Sequence, residues 1–442
     1  MRRRGTRHVS WALRYYLSAV FMKRMRDAGV VLLVCVAAWM ASPRAAYPHN
    51  PTTTTVLFNR EIATLLQRKC VQCHADGRMA MPLVTFTQTR PWAEAIKEEA
   101  LARRMPPWPA ERGYGTFSND IGLTPREFEF LISWIDGGVP EGDGEAPALV
   151  DHSGHWTSGT PDLVVSPAHG SSIEARSAPA FKRLIIDTGL THDALVRGFD
   201  FKADARVTRA AFLSVAGTDR YLGGWTPWQS STELPSGVAF RIPARAQIAV
   251  DVLYAGGSQP ETDTPQLALY FAPAAASGVV STSVLRPAAS APASGRVVAE
   301  LKFPDIRSLV SMRPELRPGG RSLEVKLLRP DGSSEVLLWV KEFRQEWQTP
   351  YVFAKPVTLP AGSVVQANSY FNENSGANTN PKTIARHTIQ IIALRRPCSA
   401  TLPANGIVAA KNKMPNSCIS RNCCREYPSL LVAHESVNTD IM

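Results

Sequence analysis

What this 442-residue chain has little of narrows its function before any motif is considered. Its apolar run from Ala28 to Met40 stops short of the roughly 20 residues that a membrane-spanning helix needs. Cysteine is scarce, seven in all, and no second C-x-x-C lies near the one at Cys70–Cys73, which excludes a four-cysteine zinc site there. Acidic residues are nearly missing from residues 1–46, where nine Lys and Arg face Asp27 alone. That segment contributes +8 of the formal +11, leaving +3 for the rest. A body so nearly balanced has no electrostatic footprint for a polyanion, so nucleic acid is not an expected partner.

The composition that is there is globular, with 44% hydrophobic and 20% charged residues. The length suits two to four domains, and 34 Pro with 29 Gly point to many turns and much β structure. Residues 1–46 read as an export signal: a basic stretch, the Ala28–Met40 apolar run, then small residues to Ala46. Met22 or Met25 would make a more ordinary start. No clean small-x-small cleavage site follows, so an uncleaved membrane anchor is the alternative. Cys35 lacks a small residue just before it, which argues against lipoprotein processing. The expected location is periplasmic or otherwise extracytoplasmic.

Cys70-Val-Gln-Cys73-His74 is the C-x-x-C-H pattern of covalent haem attachment. Two thiols in one helical turn can add to the two vinyl groups of one haem, and the adjacent imidazole is placed to ligate its iron. The competing readings are a thioredoxin-like redox pair or a zinc half-site. A thioredoxin pair needs a preceding strand, whereas Asn59–Cys70 predicts an amphipathic helix with Ile62, Leu65, Leu66 and Lys69 on one face. One haem c is therefore the expected cofactor, with Cys70 and Cys73 as anchors and His74 as proximal ligand.

Candidates for the distal ligand are Met79, Met81 and Met105. A thioether there suits an electron carrier, because it raises the potential and closes the iron to substrates. Met79 and Met81 follow His74 too closely for the chain to reach the opposite haem face. Met105 precedes Pro106-Pro107-Trp108, whose prolines fix the backbone, and is the expected ligand. A helix is predicted over about 90–104. Another begins at Thr124-Pro125-Arg126-Glu127, a capping box with proline at the first helical position. Phe128, Leu131, Ile132 and Ile135 form its apolar stripe, and Gly137-Gly138 ends it.

The stretch 55–140 resembles class I cytochrome c domains. It is most similar to those fused to copper type II ascorbate-dependent monooxygenase modules, through Phe58-Asn59, Arg90-Pro-Trp-Ala93, Met105-Pro-Pro-Trp108 and Phe117-Ser-Asn-Asp120. The resemblance implies that the Met of M-P-P-W is the axial ligand, which supports Met105. After a Gly/Pro/acid-rich linker, Pro140 to Pro147, the pattern changes to period two. Ile248, Val250, Val252 and Tyr254 alternate with Ala249, Asp251 and Leu253; Leu323, Val325 and Leu327 alternate with Ser322, Glu324 and Lys326. Such runs, broken by turns such as Pro330-Asp331-Gly332, predict antiparallel β-sandwiches.

Ala274–Gly295, poor in charge and rich in Ala, Ser and Pro, reads as a linker between 160–273 and 296–396. Both halves are similar to the bacterial peptidylglycine-hydroxylating-type monooxygenase fold, through Arg197-Gly-Phe-Asp200, Leu222-Gly-Gly-Trp-Thr-Pro227, Pro260-Glu-Thr-Asp263, Leu269-Tyr-Phe-Ala272 and Leu337-Leu-Trp-Val340 to Ala354-Lys-Pro356. That implies a multidomain chain: a small all-α cytochrome c domain, then two all-β jelly-roll-like sandwiches in tandem. Those enzymes bind one copper through three His and another through two His and a Met. By flanking residues the six positions fall on Thr208, Arg209, Leu253, Glu315, Arg317 and, at or near it, Leu394. None is His or Met, and Arg209 and Arg317 are permanent cations. His152 and His155 sit in the linker, and His169, His192 and His387 are scattered, as surface or packing residues commonly are. Copper is not expected.

In the tail, 397–442, Cys398, Cys418, Cys423 and Cys424 allow two disulfides in three connectivities, or an extension whose thiols have no role. The leading expectation is an exported monohaem cytochrome that exchanges single electrons with a partner protein or small molecule. The alternatives are a haem-linked oxidoreductase acting on a substrate in the sandwich cleft, and a haem-based gas or redox sensor.

Overall fold

A computed structural model describes residues 54–148, 155–273, 276, 278–288, 295–372 and 385–394. The expected export signal (1–46), the tail (397–442) with its four cysteines, Cys35 and His152 lie outside the described residues. Among the described residues no helix is long and apolar enough to cross a membrane. They form mostly β-sandwich sheets with a few short helices.

The helices lie before the strands. A π-turn, Phe58–Ile62, leads into α1 (Ala63–Lys69). Next come α2 (Phe86–Thr89), a 3-10 turn (Arg90–Trp92), α3 (Ala93–Leu101) and α4 (Pro125–Asp136). The helix predicted over 90–104 thus starts earlier and stops sooner. Thr85 caps α2 in a capping box with Gln88, and Pro91, with no N–H to donate, breaks the ladder before α3. The far end closes at Arg103 in a left-handed conformation (φ 52°). At α4 the capping box forms as expected: Glu127 N donates to Thr124 Oγ1 at 3.2 Å, and Thr124 N donates to Glu127 Oε2 at 2.8 Å.

Phe58, Ile62, Leu65, Leu66, Leu131, Trp134 and Ile135 make the helical core. Trp134 is fully buried against Phe58, whereas Ile132, expected in the stripe, is only half-buried. The segment expected as a linker after α4 is tied down. Phe58 N and Asn59 N donate to Pro140 O and Glu141 O, and Asn59 Nδ2 donates to Gly142 O and Gly144 O.

The first group of strands comprises β1 (Leu163–Val165), β2 (Ser171–Ile173), β3 (Ala180–Asp187), β4 (Ala194–Lys202), β5 (Thr208–Val215) and β6 (Tyr221–Trp225). It continues with β7 (Ser231–Glu233), β8 (Val238–Ile242), β9 (Gln247–Tyr254), β10 (Glu261–Asp263) and β11 (Gln266–Phe271). The second group is β12 (Gly278–Leu285), β13 (Gly295–Lys302), β14 (Arg307–Leu316), β15 (Gly320–Leu328), β16 (Ser334–Val340), β17 (Tyr351–Leu359), β18 (Val364–Phe371) and β19 (Ala385–Leu394). In the first group, β3-β9-β5-β6 faces β1-β11-β4-β8 across a core that includes Phe199, Phe201, Trp225 and Phe240. In the second, β13-β18-β15-β16 faces β12-β19-β14-β17 across Leu323, Val325, Leu327, Tyr351 and Ile389.

The stretch expected as a linker between the halves contains β12. This strand pairs parallel with β8 through Val238 and Ala239, and antiparallel with β19 along its whole length. One sheet therefore runs continuously from β1 to β17. The reason lies in the residues: Val279, Val280, Thr282 and Val284 suit a strand, and the absence of charge lets them sit within a sheet. Alternation also understates β9, where Ala249 and Leu253 are buried along with Ile248, Val250 and Val252. Leu253 packs with Ala210, Phe212 and Tyr221 in a second cluster on the sheet's other face, where the Arg313 guanidinium of β14 lies 3.8 Å from the Phe212 ring.

The segment between α3 and α4 binds the second sandwich. Phe117 bridges to Phe353, Ala110 to Val340, and Ser118 N and Ala354 N donate to Val352 O and Thr116 O at 2.8 Å. Trp108 packs edge-on to Tyr351 and Phe117. Asn119, 8% exposed, donates to Pro350 O (2.7 Å) and Gln229 Oε1 (2.8 Å) and accepts from Val352 N (3.1 Å).

Candidate functional site

The C-x-x-C-H turn follows directly from the end of α1. Cys70 N still donates to Leu66 O at 2.8 Å, and His74 N then donates to Cys70 O at 2.9 Å, folding Cys70 through His74 into one turn. Leu83 N donates to His74 O (2.9 Å) and Ala80 N to Cys73 O (3.2 Å), so the loop beyond wraps back on the turn. Within that loop Met81 O lies 3.0 Å from His74 Nδ1. This contact assigns the proton to Nδ1 and leaves the Nε2 lone pair unused, the tautomer and orientation that a metal-ligating histidine needs.

Cys70, Cys73 and His74 line one cavity of about 450 Å³, together with Met105 from the far end of the helical segment. The structure thus brings together all four residues expected to hold the haem. Met79 and Met81 also line the cavity, but the Met81 carbonyl is engaged on the Nδ1 side of His74. The lining is chiefly apolar, with Leu65, Leu83, Ile96, Ile121 and Leu131 among its walls. Burial pushes both thiols up to about 12, with Cys73 adding to the rise at Cys70 and Arg78 opposing it at Cys73. A redox dithiol needs a lowered thiol pKa, so these half-buried thiols, held neutral, make poor thioredoxin-like nucleophiles. Burial likewise holds His74 below the usual imidazole range against the pull of the Met81 carbonyl, which favours the neutral ligand form.

Other walls come from residues that sequence reasoning did not assign to this site: Arg206, Val207, Arg209 and Trp228 of the first sandwich, and Trp347 before β17. They lie more than a hundred residues from His74; Arg209 stood out in the sequence only as a position aligned with a copper ligand, and Trp228 only as the residue just after the Leu222–Pro227 stretch.

The positions that the sequence resemblance sets against copper ligands are engaged within the fold. Thr208 is fully buried with its hydroxyl 3.4 Å from Asp263, and Leu253 belongs to the second cluster beside β9. Glu315 pairs with Arg313 at 3.0 Å, and the Arg317 guanidinium lies over Phe371. Leu394 ends β19, and its side chain lies outside the described residues. His155, His169 and His192 are exposed, and His387 is buried beside Ser369.

No protein-family model matches the chain, and no curated protein matches it. Among solved structures it is similar to the major capsid protein P2 of bacteriophage PM2, at 9% identity and a TM-score of 0.27, over 52% of this chain and 97% of that one. It is also similar to a peptide-N(4)-(N-acetyl-β-D-glucosaminyl) asparagine amidase, at 9% identity and a TM-score of 0.23, over 53% and 97%. Likenesses this distant carry no argument about the site.

Proposed function

We propose that this chain is an exported c-type cytochrome that passes single electrons. In this reading 55–140 is a cytochrome c domain with one haem, and 160–273 and 296–396 are jelly-roll-like modules for docking or ligand binding. The observation that carries it is the C-x-x-C-H turn, whose His74 has Nδ1 committed to Met81 O while both thiols and Met105 line the same apolar cavity.

A haem bound there supplies a one-electron iron couple. Cys70 and Cys73 would anchor it by thioether bonds, and His74 would offer Nε2 as the proximal ligand. Met105 would offer its sulfur as a second ligand, which would close the iron to small ligands and raise its potential. The apolar walls keep water from the group and limit the charge rearrangement that accompanies electron transfer. Copper chemistry is disfavoured, since Arg209 and Arg317 put fixed positive charge at two of the positions that would have to bind the metal. The expected partner is a redox protein or a small-molecule donor or acceptor outside the cytoplasm.

Haem staining of the exported protein on a denaturing gel, with optical spectra, tests this. A stained band, a ferric Met–iron charge-transfer band and no CO-induced shift of the reduced Soret band are expected. An unstained chain refutes the reading. CO binding by the unmodified protein would favour a gas sensor, and stoichiometric copper accompanied by oxygenase activity would favour a monooxygenase.

A further inference from the structure

Two polar groups of the first sandwich reach the cavity that holds the C-x-x-C-H turn, and among the described residues neither meets the partner its chemistry calls for. Arg209 is the extra residue of a β-bulge: Thr208 pairs with Tyr254 and Ala210 with Leu253, so Arg209 has no partner across the ladder. Bulges re-aim a side chain, and this one sends a guanidinium to the cavity wall. There it stacks over the Trp347 ring, 4.8 Å from its centroid. No carboxylate among the described residues comes within ion-pair distance of it; Glu346 and Cys73 act on it only at longer range. Burial strips water from this cation and is the main influence on it. The neighbouring Arg206, by contrast, is already paired with Asp204 and Glu261.

Trp228 lines the same cavity from the turn between β6 and β7, and its indole N–H is buried without an acceptor among the described residues. A buried donor left unmade is costly, so an acceptor is expected there. A stacked guanidinium and an N–H without an acceptor among the described residues, on the walls of one cavity, match a carboxylate, which accepts several charge-assisted bonds at once.

We propose that Arg209 and Trp228 form a carboxylate clamp for a haem propionate, so that the first sandwich helps to hold the prosthetic group of the helical segment. The proposal rests on the haem reading above. It gives Arg209 a positive role where a copper ligand stands in the fold it resembles. As a positioning residue, Arg209 would offset the propionate charge, which otherwise stabilises ferric iron.

The test is spectroelectrochemical titration and low-frequency resonance Raman of the exported full chain, as wild type, Arg209→Gln, Arg209→Lys and Trp228→Phe. Arg209→Gln is expected to shift the one-electron equilibrium about tenfold toward the ferric form, about 59 mV downward. The propionate-bending band should move as well. Arg209→Lys should restore most of the potential, and Trp228→Phe should shift it less but in the same direction. Haem-loaded Arg209→Gln with an unchanged potential and an unmoved band overturns the clamp while leaving the cytochrome reading intact. A wild-type potential that responds to millimolar acetate also overturns it, since the cation would then be open to free carboxylates. A wild-type chain without covalent haem refutes both readings.

Discussion

Replacing Asn119 by alanine should weaken the docking of the helical segment on the second sandwich without unfolding either. The side chain holds three hydrogen bonds, and their loss is unequal. Gln229, half-buried, can turn toward water, and Pro350 O keeps the Thr349 hydroxyl at 3.1 Å. Val352 N has no such substitute among the described residues, so its part-buried N–H is orphaned at a cost of up to about 1–3 kcal/mol. Adding about 1 kcal/mol for the lost bond to Pro350 gives roughly 2–4 kcal/mol against the docked state. Native-state hydrogen exchange reads this directly, because protection follows the free energy of local opening. Ser118 and Ala354 carry the reporter amides, both donating across the junction. Their protection should fall by about 30-fold to about 700-fold. Amides of Leu213 and Val250, in the core of the first sandwich, should hardly change. Protection at Ser118 and Ala354 within threefold of wild type would refute the argument, as would an equal loss everywhere. Ser118→Ala, which removes only an exposed contact at 3.4 Å, should have little effect.

Met105→Ala should let CO shift the reduced Soret band, whereas Met81→Ala should not; unchanged spectra in both would remove Met105 as distal ligand. Thr124→Ala should destabilise the helical segment by about 1 kcal/mol in urea unfolding, since it removes the acceptor for Glu127 N and half of the reciprocal cap. Burial depresses His387 to about 4, so the fold holds it neutral while the unfolded chain protonates it near 6.5. The unfolded state then binds more protons between those values, and this contribution to stability is full above about pH 6.5 and declines as pH falls toward 4. Urea unfolding at pH 7.5 and 5 should therefore show a larger loss in wild type than in His387→Gln, and equal losses would contradict the assignment.

Local chemistry made parts of this molecule readable. The α4 cap, its glycine stop and the α1 approach to Cys70 all depend on residues within a few positions of one another, so spacing alone locates them. The same holds for the clean alternation of β15, where one face meets the core and the other does not. Reading failed where a partner far along the chain decided the outcome. The segment after α4 looked like a free linker because nothing nearby could reveal that Asn59 and Phe58 would claim its carbonyls. Ala274–Gly295 looked like a spacer because the β8 and β19 edges that recruit β12 are supplied by distant residues. Nor does anything near Phe117–Asn119 reveal that this stretch meets β17 through Phe353 and Val352.

The C-x-x-C-H spacing was legible in the sequence, since spacing alone sets two thiols and an imidazole within one turn. So was the uneven charge, with +8 of +11 gathered in the first 46 residues. Tertiary structure alone decided what surrounds the turn. It turned His74 by a bond to the Met81 carbonyl, brought Met105 to the same cavity, and closed that cavity with Arg209, Trp228 and Trp347. Those residues meet because a bulge in β5 and the packing of the sandwiches carry them there, and neither the bulge nor the packing follows from the spacing of residues along the chain.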